Sequence, residues 1–436
     1  MIRTGGSKSN SRAIASVNVI VDAIVNVIVI VNVIAFALAP STARAGGFGR
    51  PNEIDARAIG MGGAFAAVAD DPWAIWHNPS GLAFPDETQV SLDLALLSLN
   101  RQWTPPSHAT IDENTAPQIV PGIAGSTRFA FGRDKPARLA LGVGFYVSYG
   151  GKISFDPAAV ANTVPNTMTG TNAGITETGI TLFEVTPAVA YQVADVLSLG
   201  FVLRVGIATF DVNDDEPAFS ASNLSATGAG IGASFSATLR PHPRVSLAAV
   251  YRTTLSTTVT GNGNISVAKG PSMKRDMSLD IVWPQSASLG VSVRVLPFLR
   301  LAAQGDWTAW SSIQQLVVQF SPAGTLSQTK QMQFNDSFTL HLGAEGTFSR
   351  FAVRAGFAVD GNAIPDATTR RETRDGMKYD ATVGFGVRVW RLRIDAAFDY
   401  LFGTSPRVIP LGLPNAEAGS YTATVLTFAL TTTIVF

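Results

Sequence analysis

The sequence contains no cysteine and little charge: 15% of its 436 residues are Asp, Glu, Lys or Arg, and the formal net charge is zero. Without cysteine, a disulfide framework and a thiolate metal site are both excluded. Without a basic excess, the chain lacks the electrostatic footprint of a nucleic-acid-binding protein, so we expect no nucleic-acid partner. The length allows two or three soluble domains or one large all-β domain.

Histidine is also scarce, and no set of residues forms a catalytic motif. The four histidines, His77, His108, His242 and His341, are far apart, and none belongs to an H-E-x-x-H pattern. There is no G-x-S-x-G elbow. The glycine-rich stretches GMGGAF and GAGIGASF lack the strand–loop–helix setting of a dinucleotide site. We therefore expect no enzyme activity, no metal and no cofactor, and a hydrogen-bonding role for His77.

The first 45 residues differ from the remainder. A basic start at Arg3, Lys8 and Arg12 is followed by a long apolar run, which ends before the A-x-A sequence Ala43-Arg44-Ala45. This order predicts a secretory signal peptide, residues 1–45. The alternative is a retained membrane anchor, against which Asp22 argues, since an Asp near the bilayer centre costs ~3 kcal/mol.

The rest of the chain alternates apolar and small or polar residues. No further segment reaches the roughly 18 uncharged apolar residues of a membrane helix, although 46% of the chain is hydrophobic. The stretches VLSLGFVLRVG, RVSLAAVYRTT, FAVRAGFAVD and RLRIDAAFDY each place apolar side chains on one face and glycine, serine or charged residues on the other. A soluble sandwich also alternates, but such a polar second face is typical of a membrane β-barrel interior.

The connections between these stretches are of two kinds. Short turns such as Ala194-Asp195 and Trp390-Arg391 alternate with long segments such as Gly151 to Thr178 and Asp360 to Met377. Short turns on one side and long loops on the other are typical of outer-membrane barrels. The sequence therefore predicts an all-β fold, a transmembrane antiparallel β-barrel of about 14 strands.

Aromatic residues agree with this prediction. The last segment, YTATVLTFALTTTIVF, carries its apolar residues on one face and ends at Phe436, which resembles the signal read by the bacterial barrel-insertion machinery. Trp103, Trp307 and Trp310 lie near predicted strand ends, as in an aromatic girdle, although core or loop positions remain open for them.

The segment GGFGRPNEIDARAIGMGGAFAAVADDPWAIWHNPSGLAF resembles the mature N-terminus of the FadL/TodX family, outer-membrane transporters of long-chain fatty acids and other hydrophobic compounds. Further similarity lies in IVPGIAG, FYVSYGG, GDWTAWSSIQQL and FAVRAGFAVDGNAIPD, so the resemblance covers nearly all of the chain after the signal peptide. The family usually has Asn-Pro-Ala where this chain has Asn78-Pro79-Ser80.

The resemblance implies three segments: the signal peptide, a partly helical N-terminal hatch at residues 46–86 that plugs the lumen, and a barrel at residues 87–436. It also implies passive uptake of a fatty acid, alkane or aromatic hydrocarbon across the outer membrane of a Gram-negative bacterium. The expected partners are this hydrophobic small molecule, outer-membrane lipid and the barrel-insertion machinery, and we expect a monomer.

The resemblance further implies a lateral exit through the wall. In the family the third strand kinks inward beside the hatch motif, which here is Asn78, Pro79 and Ser80. The matching strand runs from about Arg138 to Gly150, with the kink at Tyr149, Gly150 and Gly151. A glycine pair suits a break in a strand. The alternative is that these glycines begin the following loop.

A carboxylate ligand would need a cation in the lumen. The predicted inner faces carry six candidates: Arg204, Arg252, Arg300, Arg354, Arg388 and Arg393. Ion pairs within the barrel are the commoner use of such charges, with Asp306, Asp395 and Asp399 or with the hatch residues Glu53, Asp55, Asp70 and Asp71 as partners.

Three other functions remain open for a barrel of this kind. A general-diffusion porin would need a charged constriction and no plug. A barrel of the same architecture could serve secretion or surface assembly by binding proteins. A third possibility is an outer-membrane enzyme that acts on lipids.

Overall fold

The computed structural model describes residues 54–114, 116–129, 139–161, 175–214, 221–265, 273–321, 326–403 and 407–436. The predicted signal peptide and Glu53 lie outside these residues. Within them, no helix is long and apolar enough to cross a membrane.

Most of the described chain, 69%, is β-strand in one antiparallel sheet. The strands are β1 Gln89–Thr104, β2 Ile111–Asp112, β3 Gln118–Phe129, β4 Leu139–Ser154, β5 Ile175–Ala194, β6 Leu197–Asp214, β7 Ala221–His242, β8 Val245–Arg252, β9 Leu255–Ile265, β10 Met273–Trp283, β11 Ser286–Leu296, β12 Leu299–Thr308, β13 Gln315–Phe320, β14 Leu326–Gln331, β15 Ser337–Phe348, β16 Phe351–Asp360, β17 Lys378–Val389, β18 Leu392–Gly403, β19 Arg407–Ile409 and β20 Gly419–Val435.

The sheet closes on itself. β20 pairs with β18 on one side and with β1 on the other, in a register that runs from Gln89↔Val435 to Thr104↔Ser420. Four of the long barrel strands are interrupted, so that each consists of two segments. These pairs of segments are β8 with β9, β10 with β11, β12 with β13, and β14 with β15. When each interrupted strand is counted once and the short β2 and β19 are left out, the barrel has fourteen strands. This confirms the predicted fold class.

The predicted alternation has the expected physical effect. Along β6, Leu199, Phe201 and Leu203 are exposed on the outside, whereas Val202 and Arg204 are buried inside. The outward residues form the apolar surface that a membrane barrel presents to lipid, and the inward ones pack around the lumen.

Two parts of the sequence-based prediction need correction. The predicted loop Gly151 to Thr178 is strand at both ends, because β4 extends to Ser154 and β5 begins at Ile175. The glycine pair after Tyr149 therefore continues a strand. The second correction concerns the aromatic girdle. Trp103 and Trp310 pack among interior residues instead, because residues of other strands and loops cover them.

The segment before β1 is buried and partly helical. It contains α1 (Ala56–Ile59), α2 (Ala74–His77) and a 3₁₀ helix (Pro79–Ala83); the other helices are α3 (Pro157–Ala161) and the 3₁₀ turns Trp310–Ser312 and Asp366–Thr368. The Asp55 carboxylate caps α1 by accepting from the backbone N–H groups of Arg57 and Ala58.

This segment, which we call the hatch segment (residues 54–84), contacts strands from all around the barrel. Glycines in the wall make room for its backbone: a Cβ at Gly200 would lie 2.2 Å from the Ser80 nitrogen, and one at Gly356 would lie 2.1 Å from the Gly62 nitrogen.

Candidate functional site

The third strand of the barrel, β4, separates from its neighbour β3 half-way along its length. The pairing of β3 with β4 runs from Phe129↔Leu139 to Gly122↔Tyr146 and stops there. Nearer the end of the barrel with the longer loops, which is the extracellular end in outer-membrane barrels, the backbone N–H of Asn114 donates to the carbonyl of Ser154 (2.8 Å). Between these two points, among the described residues, β4 has ladder pairing only with β5.

A bulge in β4 lies at the start of this interval. The register with β5 shifts between Val147 and Tyr149, so Ser148 is the extra residue. Its hydroxyl donates to the Leu182 carbonyl (3.3 Å). A bulge bends its strand and ends regular pairing locally, which explains why β4 departs from β3 at this point.

Burial shows the direction of the bend. Leu141 and Val143, earlier in β4, are 42% and 54% exposed on the lipid-facing side. From Tyr146 to Gly151 every residue is buried, including those whose place in the alternation would expose them. The strand therefore turns inward from the wall where its pairing with β3 ends.

Inside the barrel, the bulge faces an apolar cluster. The Tyr149 ring lies 5.2 Å from that of Trp283 and 6.1 Å from that of Trp310. Around them lies what we call the lumenal cluster, fifteen buried apolar residues: Tyr149, Ile180, Leu182, Ala208, Phe210, Val212, Leu224, Ala226, Leu255, Val259, Met277, Leu279, Ile281, Trp283 and Phe320. These side chains provide an apolar lining at the same level as the bulge.

The hatch segment contacts β4 just below this cluster. Tyr146 packs edge-on against Trp76 at 5.2 Å and lies 6.4 Å from Trp73. The Arg252 guanidinium stacks on Trp76 at 3.6 Å and donates to its carbonyl. Trp73 and Trp76 thus form the hatch contact nearest the bulge.

The predicted hatch motif lies elsewhere on the wall. The Asn78 side-chain amide donates to Ala66 O and to Thr238 Oγ1, both at 2.7 Å. The Ser80 backbone N–H donates to Ser236 Oγ (2.8 Å), and Ser80 O accepts from Ser198. The motif Asn78-Pro79-Ser80 is therefore hydrogen-bonded to β6 and β7, not to the bulge of β4. Its role at an exit stays a prediction.

Of the six candidate arginines, two lie near the lumenal cluster and both are engaged. Arg204 forms a bidentate pair with Glu184, with distances of 2.8 and 2.6 Å, and also donates to Thr253 O. Arg252 stacks on Trp76 as described above. Arg388 lies at the periplasmic end of β17 and is exposed.

The remaining three candidates join the hatch segment in one ionic network. Arg57 of the hatch binds Asp70 (2.5 Å), Asp71 (3.1 Å) and Glu345 of β15 (3.1 Å). Four arginines meet four carboxylates in this network, so it is neutral as a whole: Arg57, Arg300, Arg354 and Arg393 with Asp70, Asp71, Glu345 and Asp395. Whether any candidate arginine binds a ligand carboxylate stays a prediction.

The network favours the charged form of one hatch acid, Asp70. Burial alone would raise the pKa of Asp70, but the positive charges of Arg57 and Arg300 outweigh it, and the pKa is lowered. Sequence reasoning missed Arg57 and Glu345. The alternation of the strand SFTLHLGAEGTF places Glu345 on the inner face of the barrel, and this was the one available signal for Glu345.

The extracellular mouth carries a second ionic group, on the loop between β16 and β17 (residues 361–377, the mouth loop). Burial by itself would raise the pKa of Glu372, but the charges of Lys330, Arg370 and Arg371 outweigh it and lower the pKa to about 2. Arg371 also binds Glu417 (2.7 Å), which ties the mouth loop to the segment before β20.

Among the described residues, no group of His, Asp and Glu is arranged to hold a metal ion. His77 Nε2 lies 2.9 Å from Ile54 O and 3.1 Å from Asp55 Oδ2, so its ring joins two parts of the hatch segment.

Solved structures with the same fold come from several bacteria. A FadL homologue of Pseudomonas aeruginosa matches with a TM-score of 0.73 and 20% identity, over 89% of this chain and 99% of that one. The toluene transporter TbuX of Ralstonia pickettii matches with a TM-score of 0.68 and 18% identity, over 91% and 99%. TodX of Pseudomonas putida matches with a TM-score of 0.67 and 14% identity, over 90% and 99%.

No curated protein matches the chain significantly in sequence. A family model, however, matches residues 36–436, and its description is outer membrane protein transport protein (OMPP1/FadL/TodX). The barrel and the family place the protein in the outer membrane of a Gram-negative bacterium. The chain belongs to the FadL/TodX family of outer-membrane transport proteins.

Proposed function

We propose that this protein takes up long-chain fatty acids or similar hydrophobic molecules passively across the outer membrane. Extracellular loops capture the molecule, the lumenal cluster binds it, and the opening between β3 and β4 releases it sideways into the membrane. The observation that supports this proposal is the inward bend of β4 at Ser148, where the pairing with β3 ends beside the lumenal cluster.

An apolar molecule bound in the lumenal cluster can leave toward water or toward lipid. Each methylene favours apolar surroundings over water by ~0.8 kcal/mol. A molecule that leaves the lumenal cluster toward the periplasm would lose this free energy, whereas one that passes into the bilayer retains it. The names of two similar barrels, the toluene transporters TbuX and TodX, agree with a hydrophobic ligand.

Each part of the chain then has its own role. Residues 1–45 export it, residues 46–86 form a hatch that closes the lumen to polar solutes, and residues 87–436 form the transporting barrel. The protein is then a transporter rather than an enzyme, it works as a monomer, and its partners are the hydrophobic ligand, outer-membrane lipid and the insertion machinery.

The experiment is uptake of labelled oleate, and separately of labelled toluene, by cells that lack their own transporter. Gly150→Arg places a long charged side chain in the buried part of β4 and should abolish uptake. The matched control is Gly376→Arg in the mouth loop, where a Cβ would meet no atom within 4 Å and uptake should persist. If neither compound enters although the protein is folded in the outer membrane, the proposal is wrong.

A reversible link tests the opening in a molecule that is already folded. The chain has no cysteine, so Val120→Cys and Lys152→Cys, one on each side of the opening, would be the only thiols. A cleavable dithiol-reactive linker between them should stop uptake, and its cleavage should restore it. Uptake that continues through the linked protein would exclude release at this place, and Lys152→Cys alone is the control.

A further inference from the structure

Two buried arginines share one carboxylate at the extracellular mouth. Arg101 of β1 binds Glu113 through Nη2 at 2.5 Å, and Arg374 of the mouth loop binds the other oxygen of the same carboxylate. The side chains of Arg101, Arg374 and Glu113 are 7%, 5% and 0% exposed. Arg101 Nη2 also donates to the Lys152 carbonyl (3.0 Å) on β4. This trio therefore joins β1, the mouth loop and the upper end of the opening.

The two arginines of this trio have N–H groups that are not hydrogen-bonded to any described residue. Arg101 Nε and Arg374 Nε and Nη1 are buried and have no hydrogen-bond partner in the part of the chain that the structure describes. A buried donor without an acceptor is costly, and each such group calls for an acceptor that the described residues do not supply. Two arginines against one carboxylate also leave one net positive charge. Burial and the charge of Arg101 lower the pKa of Arg374 to about 10, which still leaves it charged at neutral pH.

The surroundings of these donors are apolar. The Arg374 guanidinium lies 5.6 Å from the Phe155 ring centre, and Trp103 lies two residues after Arg101 on the same strand. They belong to a buried group that we call the mouth cluster: Trp103, Ile111, Ile153, Phe155, Val160, Ile409 and Tyr421. A charged head beside an apolar group is the combination that an amphiphilic anion requires.

The mouth cluster and the lumenal cluster meet along β4. Ile153 belongs to the first and Tyr149 to the second, and both lie on the same face of the strand with Gly151 between them. Four residues of strand span about 13 Å. Gly151 has no side chain, so no side chain of β4 separates the two clusters on this face.

We propose that Arg101 and Arg374 form the head-group subsite for an amphiphilic carboxylic acid, whose apolar tail lies along Ile153 and Gly151 toward Tyr149. Glu113 is the resident carboxylate that holds the two arginines in the absence of ligand. An entering carboxylate takes up their free N–H groups and competes with Glu113. This inference rests on the proposed uptake function and narrows its ligand from hydrophobic compounds in general to acids.

The six arginines predicted from the sequence are less suited to this role. The Arg204 guanidinium already donates to both carboxylate oxygens of Glu184 and to a backbone carbonyl. Arg354 and Arg393 lie in a network in which the charges balance. Arg101 and Arg374 differ from Arg204, Arg354 and Arg393 because they have two positive charges, one carboxylate, and unused buried donors.

The test compares an acid with its neutral ester. Equilibrium binding of labelled laurate and labelled methyl laurate is measured on the purified full-length protein in a non-ionic detergent, with Arg374→Gln and Glu113→Gln as variants. Hydrogen bonds to a charged group predict that Arg374→Gln weakens laurate binding about tenfold or more while methyl laurate is unaffected. Glu113→Gln removes the competing carboxylate and should tighten laurate binding.

The two variants should change laurate affinity in opposite directions. This separates a binding role from a structural one, since loss of a merely structural ion pair would weaken laurate binding in both variants. The matched control is Arg407→Gln, which removes another mouth-loop anchor, the pair with Asp366 at 2.6 Å, and should leave the acid-to-ester ratio unchanged. Equal affinity of the wild type for acid and ester, or an unchanged ratio in Arg374→Gln, overturns the head-group subsite. In that case continued uptake of neutral hydrocarbons would leave the proposed transport function standing.

Discussion

The strongest prediction from the structure concerns Arg57, which anchors the hatch segment to the barrel wall. Arg57→Gln removes the guanidinium that binds Asp70, Asp71 and Glu345. The four-to-four balance of the network then becomes three arginines against four carboxylates, with one negative charge buried and uncompensated. We expect the hatch to leave its closed position more often, because the closed position is the one that buries this charge.

The magnitude follows from the contacts. Removal of one partner from a buried ion pair costs ~3–5 kcal/mol. Glu345 keeps Arg354 at 2.9 Å, and Asp71 keeps Arg393 at 2.8 Å, so the lower end applies. A cost of about 3 kcal/mol raises the population of displaced hatch about a hundredfold.

The assay is ion current through single molecules of the full-length protein in a planar lipid bilayer. Arg57→Gln should spend about a hundred times more time in a conducting state than the wild type. Arg388→Gln, at the exposed periplasmic end of β17, is the matched control and should behave as the wild type. The double variant Arg57→Gln with Glu345→Gln restores the balance of charge and should recover part of the closure. Equal conductance in all four proteins, with each barrel folded, would refute the reasoning.

Three further predictions test the packing, the lumen and the mouth. Gly356→Ala forces a Cβ against the hatch backbone and should destabilise the protein by ~1–3 kcal/mol in a denaturant titration, whereas Gly305→Ala, with no atom within 4 Å of its Cβ, should have little effect. If a hydrophobic ligand binds in the lumenal cluster, it should change the tryptophan fluorescence; Trp283→Phe should remove most of this change, and Trp390→Phe, at a position 80% exposed on a periplasmic turn, should not. Because the pKa of Glu372 is about 2 in the folded loop and 4.5 ordinarily, its ion pairs stabilise the mouth loop fully above about pH 4.5 and lose up to about 3 kcal/mol as the pH falls toward 2. Pepsin cleavage of the mouth loop should therefore rise over this interval in the wild type more than in Glu372→Gln, and equal pH dependence in the two would contradict the assigned charges.

The sequence by itself determined the barrel and the two faces of its wall. Period-two alternation is a local property, so the inward position of Arg204 and the outward position of Phe201 follow from their neighbours alone. The compact stretch DDPWAIWHNPSGLAF also showed locally that it is not a strand, because its prolines and lack of alternation exclude one. The resemblance to the family then gave the class of function.

The tertiary structure alone decided where strands separate and which charges meet. The resemblance implied a kink at Tyr149 to Gly151, next to the bulge, but which residue is left unpaired, Ser148, depends on the register with β5, a separate part of the chain. In the same way Arg101 and Arg374 lie 273 positions apart by their numbers, and only the closed barrel brings both to Glu113. Alternation fixes the face on which a side chain lies, whereas its partners depend on closure of the sheet and on loops that cross the mouth.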